Sequence, residues 1–170
     1  RLIMQDAFLL TSSSWILIAL FGSIPFFLSD SNMNFTDSFF ESMSGVTTTG
    51  SSVIQNISDM SEGILIWRAL LQWLGGVGII VMALSILPVL QVGGMQVFRA
   101  ESSDTTEKIL PRTAQISAAV IIIYLILTSS CFALYWIFGM NAFDSFAHSM
   151  TTIATGGFST KNTSIAFFDN

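Results

Sequence analysis

The residues that invite a chemical reading are two short runs of small side chains, Thr47-Thr48-Thr49-Gly50-Ser51-Ser52 and Ala154-Thr155-Gly156-Gly157-Phe158-Ser159. Neither run pairs a nucleophile with a base, and neither carries the lysine of a G-x-x-x-x-G-K-[ST] nucleotide loop. Their resource is backbone. Glycine takes positive φ without steric cost, so Gly50 and Gly157 would let successive carbonyls face one axis and replace the hydration shell of a bare cation. The candidate ligands are the carbonyls of Thr48, Thr49, Gly50 and Ser51, with those of Thr155, Gly156, Gly157 and Phe158. One such run is only a loop; the case for a filter rests on there being two. Residues 34–53 align without gaps onto 141–160 at an offset of 107, with nine of twenty positions identical. The matches include Asn34/Asn141, Asp37/Asp144, Ser38/Ser145, Thr48/Thr155, Gly50/Gly157 and Ser52/Ser159.

These loops need elements that hold them at depth in a bilayer. No charge falls between Asp6 and Asp30, between Arg68 and Arg99, or between Arg112 and Asp144. Each gap can hold the roughly 20 apolar residues of a membrane-crossing helix, and spans are predicted over 7–28, 64–89 and 116–138. The segments 38–46 and 145–153 are too brief to cross yet apolar enough to enter, so they read as re-entrant half-helices. Ser38 with Glu41 fits a capping box, which would start the first half-helix near the outer surface and aim the negative end of its dipole at the loop. The chain thus divides into a first repeat over 1–90 (span, half-helix, filter 47–52, inner span), a connector over 91–115, and a second repeat over 116–170 with its filter at 154–159. The fold class is an all-α membrane protein of repeated span, re-entrant half-helix, loop and span units.

Composition agrees with that class. Hydrophobic residues make up 52% and charged residues 10%, against about 25% charged in soluble domains, so the surface is suited to lipid. A net charge of -5 argues against nucleic acid, whose phosphates call for a basic face. Arg99, Lys108 and Arg112 lie in 91–115, whereas 29–63 holds no lysine or arginine. Positive charge stays inside, which puts the connector in the cytoplasm and both loops outside, with Lys161 an exception. Asp30, Asp37, Glu41, Asp59 and Glu62 form either a negative mouth that concentrates cations or ordinary solvated loop acids. Arg68 reads as a snorkelling interfacial anchor, the alternative being a brace for the loops. Glu41 and His148 share a half-helix position, and without clustered Cys, Asp or Glu the lone His reads as a structural residue. Cys131 lies within the third span as a small apolar side chain. Arg1 is no initiator methionine and no basic leader precedes the first span, so the front is expected to be trimmed.

In this order, Ser44-Gly45-Val46-Thr47-Thr48-Thr49-Gly50, Gln72-Trp73-Leu74-Gly75-Gly76-Val77-Gly78-Ile79, Gly93-Gly94-Met95-Gln96 with Arg99-Ala100-Glu101, and Ala154-Thr155-Gly156-Gly157-Phe158-Ser159 resemble the Trk/Ktr/HKT potassium transporter family, in particular its TrkH-like bacterial membrane subunits. The resemblance covers nearly the whole chain. It implies four repeats around one pore, one shared glycine per loop falling on Gly50 and Gly157, a potassium-permissive type through the glycine at position 50, and potassium as the transported ligand with no covalent cofactor. It further implies a homodimer in the lipid bilayer of the cytoplasmic (inner) membrane and a cytosolic ring of nucleotide-binding, TrkA-like regulatory subunits. The first inner span opens at 64, fourteen positions after Gly50, while the sequence ends at Asn170, thirteen after Gly157. The second inner span and the family's gating elements are therefore expected beyond it. The reading is potassium uptake with no chemical catalysis. The alternatives are a short channel subunit completing its filter by dimerisation and a non-conducting assembly subunit.

Overall fold

The computed structural model describes residues 4–29, 33–90 and 109–168. Among the described residues there are six α-helices and no strand: α1 Met4–Gly22, α2 Ile24–Leu28, α3 Phe35–Val46, α4 Glu62–Leu90, α5 Ile109–Ile137 and α6 Ala142–Ile153. Short 3₁₀ turns cover Ile57–Asp59 and Ser164–Phe168. Three stretches are long and apolar enough to cross a bilayer, Phe8–Leu28, Glu62–Met82 and Ser117–Ile137. Their outward faces are oily to a degree water would not tolerate: Leu28 is 74%, Ile137 75% and Phe138 84% exposed, and α5 adds a run of exposed isoleucine and leucine. Such a surface is matched by lipid, in which helices satisfy their own backbone.

Several boundaries differ from the sequence reading for local reasons. The first span is a helix broken at Ser23. Pro25 has no N–H to continue the ladder, Ser23 Oγ donates to the Leu20 carbonyl at 2.7 Å, and the Gly22 carbonyl accepts from Trp67 Nε1 at 2.9 Å. The half-helices start at Phe35 and Ala142 rather than at 38 and 145. Ser38 is not the cap: its hydroxyl, a turn inside α3, donates to the Asn34 carbonyl at 2.9 Å. The caps are Asn34 and Asn141, whose side chains accept from the amides of Asp37 and Asp144 at 2.8 and 2.7 Å. Asn is among the strongest N-cap residues because its short side-chain oxygen reaches an orphan N–H. The third span's helix begins at Ile109, which takes 109–115 from the expected connector; 91–108 lies outside the described residues, as does Asp30.

The inner helix α4 is the axis of the assembly and packs on α3, α5 and α6. Toward the first half-helix it buries Ile64 and Leu71 with Phe26 and Val46; toward the second it buries Ala69 with Ala147 and Met150. Gly75 makes the close approach possible, since a Cβ there would run into the Val46 carbonyl at the end of α3. On the opposite side Trp73 Nε1 donates to Thr128 Oγ1 at 3.0 Å and Tyr124 Oη to the Trp73 carbonyl at 3.2 Å, which ties α5 to α4. Both half-helices therefore end beside one rigid helix.

Candidate functional site

Each half-helix ends in orphan carbonyls, and the loop that follows folds its amides back onto them. Thr47 N donates to Met43, Thr48 N to Gly45, and Thr49 N and Gly50 N both to Ser44, at 2.9, 2.9, 3.0 and 3.4 Å. In the second repeat Ala154 N donates to Met150, Thr155 N to Thr152 and Gly156 N to Thr151, at 3.1, 2.9 and 2.9 Å. The handedness alternates. Thr48 has φ 55°, Gly50 79°, Thr155 55° and Gly157 80°, while Thr49 and Gly156 between them are not in the left-handed region. Alternating hands bring successive N–H groups toward one side of the chain. A non-glycine residue at positive φ costs free energy and persists only where its surroundings over-determine it; Thr48 and Thr155 are such residues, at equivalent positions.

Six of the eight candidate carbonyls, those of Thr48, Thr49, Gly50, Thr155, Gly157 and Phe158, accept no hydrogen bond among the described residues. The other two are engaged. Ser51 accepts from Ser44 Oγ at 2.6 Å, and Gly156 from Gln72 Nε2 at 2.8 Å, which leaves each with one lone pair. The loops also meet. A Cβ on Gly50 would collide with the Gly156 carbonyl, whereas one on Gly157 would meet nothing within 4 Å.

Behind the loops sits a charge that the sequence reading misplaced. Arg68 is 1% exposed and is no interfacial anchor. Its Nε donates to Glu41 Oε1 at 2.8 Å, Nη1 to the Ser159 carbonyl at 2.9 Å and Nη2 to Ser52 Oγ at 3.2 Å, and its guanidinium lies 4.1 Å from the Phe158 ring centroid. One side chain thus holds α3, the first loop and the second loop, the brace geometry. Glu41, fully buried, is likewise no mouth acid: besides Arg68 it accepts from Ser52 Oγ at 2.9 Å and Val53 N at 3.1 Å. One turn further along α4, Gln72 reaches the second loop alone, donating to Gly156 and accepting from Phe158 N at 3.1 Å.

The sequence profile of the TrkH family, described as Cation transport protein, matches residues 1–170. The chain belongs to the TrkH family. The similar proteins include the Trk system potassium uptake protein TrkH of Vibrio parahaemolyticus, 46% identical over 169 residues, 98% of this chain and 35% of that protein. TrkI of Halomonas elongata is 44% identical over 161 residues, 95% of this chain and 33% of that protein. Among solved structures, the crystal structure of the potassium transporter TrkH from Vibrio parahaemolyticus superimposes with a TM-score of 0.86 at 43% identity, covering all of this chain and 34% of that one. The chain spans about a third of the length of these relatives. It is a multi-pass protein of the cytoplasmic membrane.

Within this TrkH-family chain the second half-helix carries its own support. His148 lies with Nδ1 2.8 Å from the Asp144 carbonyl and Nε2 2.9 Å from Ser159 Oγ. A carbonyl only accepts, so Nδ1 holds a proton, and in the neutral imidazole Nε2 then receives the serine hydroxyl. Asp144, 1% exposed, accepts from Thr160 Oγ1 at 2.5 Å and lies 3.5 Å from Lys161 Nζ. His148 is thus the structural residue its isolation suggested. Gln72 and Asp144 had not been singled out as parts of the site; the Asn-x-x-Asp pattern repeated at 34–37 and 141–144 was the available signal for the caps.

Proposed function

We propose that this chain supplies two of the loops lining a potassium-selective pore, through which potassium moves into the cell. The observation that carries the reading is the matched pair of loops: amides turned onto half-helix carbonyls, hands alternating at Thr48 and Gly50 and at Thr155 and Gly157, and six loop carbonyls that accept no hydrogen bond among the described residues. Oxygens so arranged substitute for the water of a dehydrated potassium ion, and the half-helix dipoles point their negative ends at it. The ligands are the carbonyls of Thr48, Thr49, Gly50, Thr155, Gly157 and Phe158, while Ser51 and Gly156 offer only their second lone pair. The relatives named as potassium uptake proteins support the choice of ion.

The contact between the loops supports a four-repeat ring. Gly50 lies against the Gly156 carbonyl, and the position equivalent to Gly50, Gly157, has open space on the same side. A head-to-tail contact of this kind generates a ring where its rotation closes, and with the four repeats of the family reading a third loop would seat on Gly157 as the second does on Gly50. Uptake follows the membrane potential, about 2.3 kcal/mol per charge per 100 mV. A dimer and a cytosolic nucleotide-binding TrkA-like subunit go with the family reading and belong to this proposal.

The test is potassium and sodium uptake by cells that lack other potassium importers and express the full-length protein. Gly50→Ser should leave the protein in the membrane at wild-type amount and weaken discrimination of potassium from sodium. Wild-type selectivity and rate in that variant would mean the loops are not the filter, and the assembly-subunit reading replaces it.

A further inference from the structure

The second loop is held by a residue that belongs to the first repeat. Gln72, fully buried on α4, donates from Nε2 to the Gly156 carbonyl at 2.8 Å and accepts at Oε1 from Phe158 N at 3.1 Å. The two peptide groups it grips flank Gly157, the residue whose φ is 80°. One planar amide therefore clasps both sides of Gly157 and fixes the peptide planes before and after it. Gly156 must itself be glycine for this to occur, because a Cβ there would overlap the Gln72 amide. In the first loop the equivalent carbonyl, Thr49, accepts from no donor among the described residues.

We propose that Gln72 is a selectivity-determining positioning residue: by clasping Gly156 and Phe158 it sets the orientation of the carbonyls around Gly157, so that the inner helix of the first repeat decides the ion preference of the second loop. The proposal rests on the filter reading above and names a residue that acts through the loop rather than on the ion. Without the clasp, the Gly156–Gly157 peptide is free to rotate about glycine torsions that have no Cβ to restrain them, and the spacing of the neighbouring oxygens loosens. Discrimination between two ions is a difference of affinities, so a clasp of this kind acts on selectivity more than on total uptake.

The experiment uses the full-length protein in cells lacking other potassium importers, with membrane abundance followed in parallel. Gln72→Met keeps the length and packing of the side chain and removes both hydrogen bonds. The expected result is a loss of potassium-over-sodium discrimination, read as the ratio of the two KM values, of about tenfold, the worth of roughly one net hydrogen bond. Gln72→Glu provides rescue, since a neutral carboxyl has one O–H to donate to Gly156 and a carbonyl oxygen to accept from Phe158 N, while the ionised form has no donor. Discrimination by that variant should be restored at mildly acidic pH and lost at mildly alkaline pH, beyond any change in wild type. A residue that served only packing would lower abundance and leave the ratio unmoved in Gln72→Met. If Gln72→Met keeps wild-type discrimination while Gly50→Ser loses it, the loops are the filter and Gln72 does not tune them. If Gly50→Ser also keeps it, the filter reading falls and the clasp with it. Should Gln72→Met fail to reach the membrane, the pH dependence of Gln72→Glu decides, and a flat profile overturns the proposal.

Discussion

The two loop units share a backbone and differ in the chemistry that holds it. In the first, the half-helix residue that receives the loop serine is Glu41, and its charge is answered by Arg68. In the second, the equivalent residue is His148, which as a neutral imidazole receives Ser159 in the same way. What persists between the copies is an acceptor at the seventh residue of a half-helix aimed at the serine two residues past the shared glycine. The residue type does not persist. The two glycines match closely, with φ 79° at Gly50 and 80° at Gly157, and within this chain Gly50 lies against the Gly156 carbonyl of the other copy.

The largest effect should come from removing the acceptor. Glu41→Ala strands a guanidinium that is 1% exposed, and breaking a buried ion pair from one side costs about 3–5 kcal/mol. His148→Ala strands only neutral groups, at about 1–3 kcal/mol. Membrane abundance and thermal unfolding in detergent should rank Glu41→Ala well below His148→Ala. Equal losses would mean that the charge on the first unit has no structural weight and that the two units are braced alike.

An alanine scan of the shared glycines should give the next effect. At both positions a Cβ opposes the left-handed conformation, which costs about 1–2 kcal/mol. At Gly50 it also collides with the neighbouring loop's backbone, which cannot move aside as a flexible side chain would. In the proposed ring the next loop would crowd Gly157 in the same way, so Gly50→Ala and Gly157→Ala should impair uptake and selectivity to a similar degree in the same assay. A much milder Gly157→Ala would mean that no further loop seats on Gly157, which breaks the ring and leaves only the two-loop contact.

Why some of this was legible in the sequence and some not follows from the range of the interactions. The loops could be read because their geometry is imposed locally: a positive φ calls for glycine, and the call appears twice, at Gly50 and Gly157. The half-helices could be read from apolar length, but not their starts, because Ser38 and Glu41 mimic a capping box while the true caps, Asn34 and Asn141, lie a turn earlier. Arg68 was misread since its position near the outer end of a span suits an anchor, and its partner Glu41 is 27 residues away. Gln72 was quoted only as part of a motif, with contacts 84 and 86 residues distant. No spacing rule reaches that far, and the charge of Glu41 gave no sign that it would be buried.

The smallest effect should come from the loop serines, and it tests whether the difference in charge reaches the loops themselves. Ser52 Oγ donates to Glu41 and accepts from Arg68 Nη2 at 3.2 Å, so Ser52→Ala removes hydrogen bonds to two ionised groups, each worth about 1.5–3 kcal/mol. Ser159 Oγ donates to neutral His148 and accepts from Lys161 N at 3.0 Å, so Ser159→Ala removes ordinary bonds of about 1 kcal/mol each. Part of the Ser52 loss is recovered, because Glu41 retains Val53 N and Arg68 retains the Ser159 carbonyl. The expected gap is therefore modest, a lower unfolding temperature for Ser52→Ala than for Ser159→Ala in detergent, with both proteins present in the membrane. Should Ser159→Ala prove the more damaging, the Ser159 side chain must also be positioning the carbonyl that Arg68 holds. The brace would then run through the second unit rather than the first.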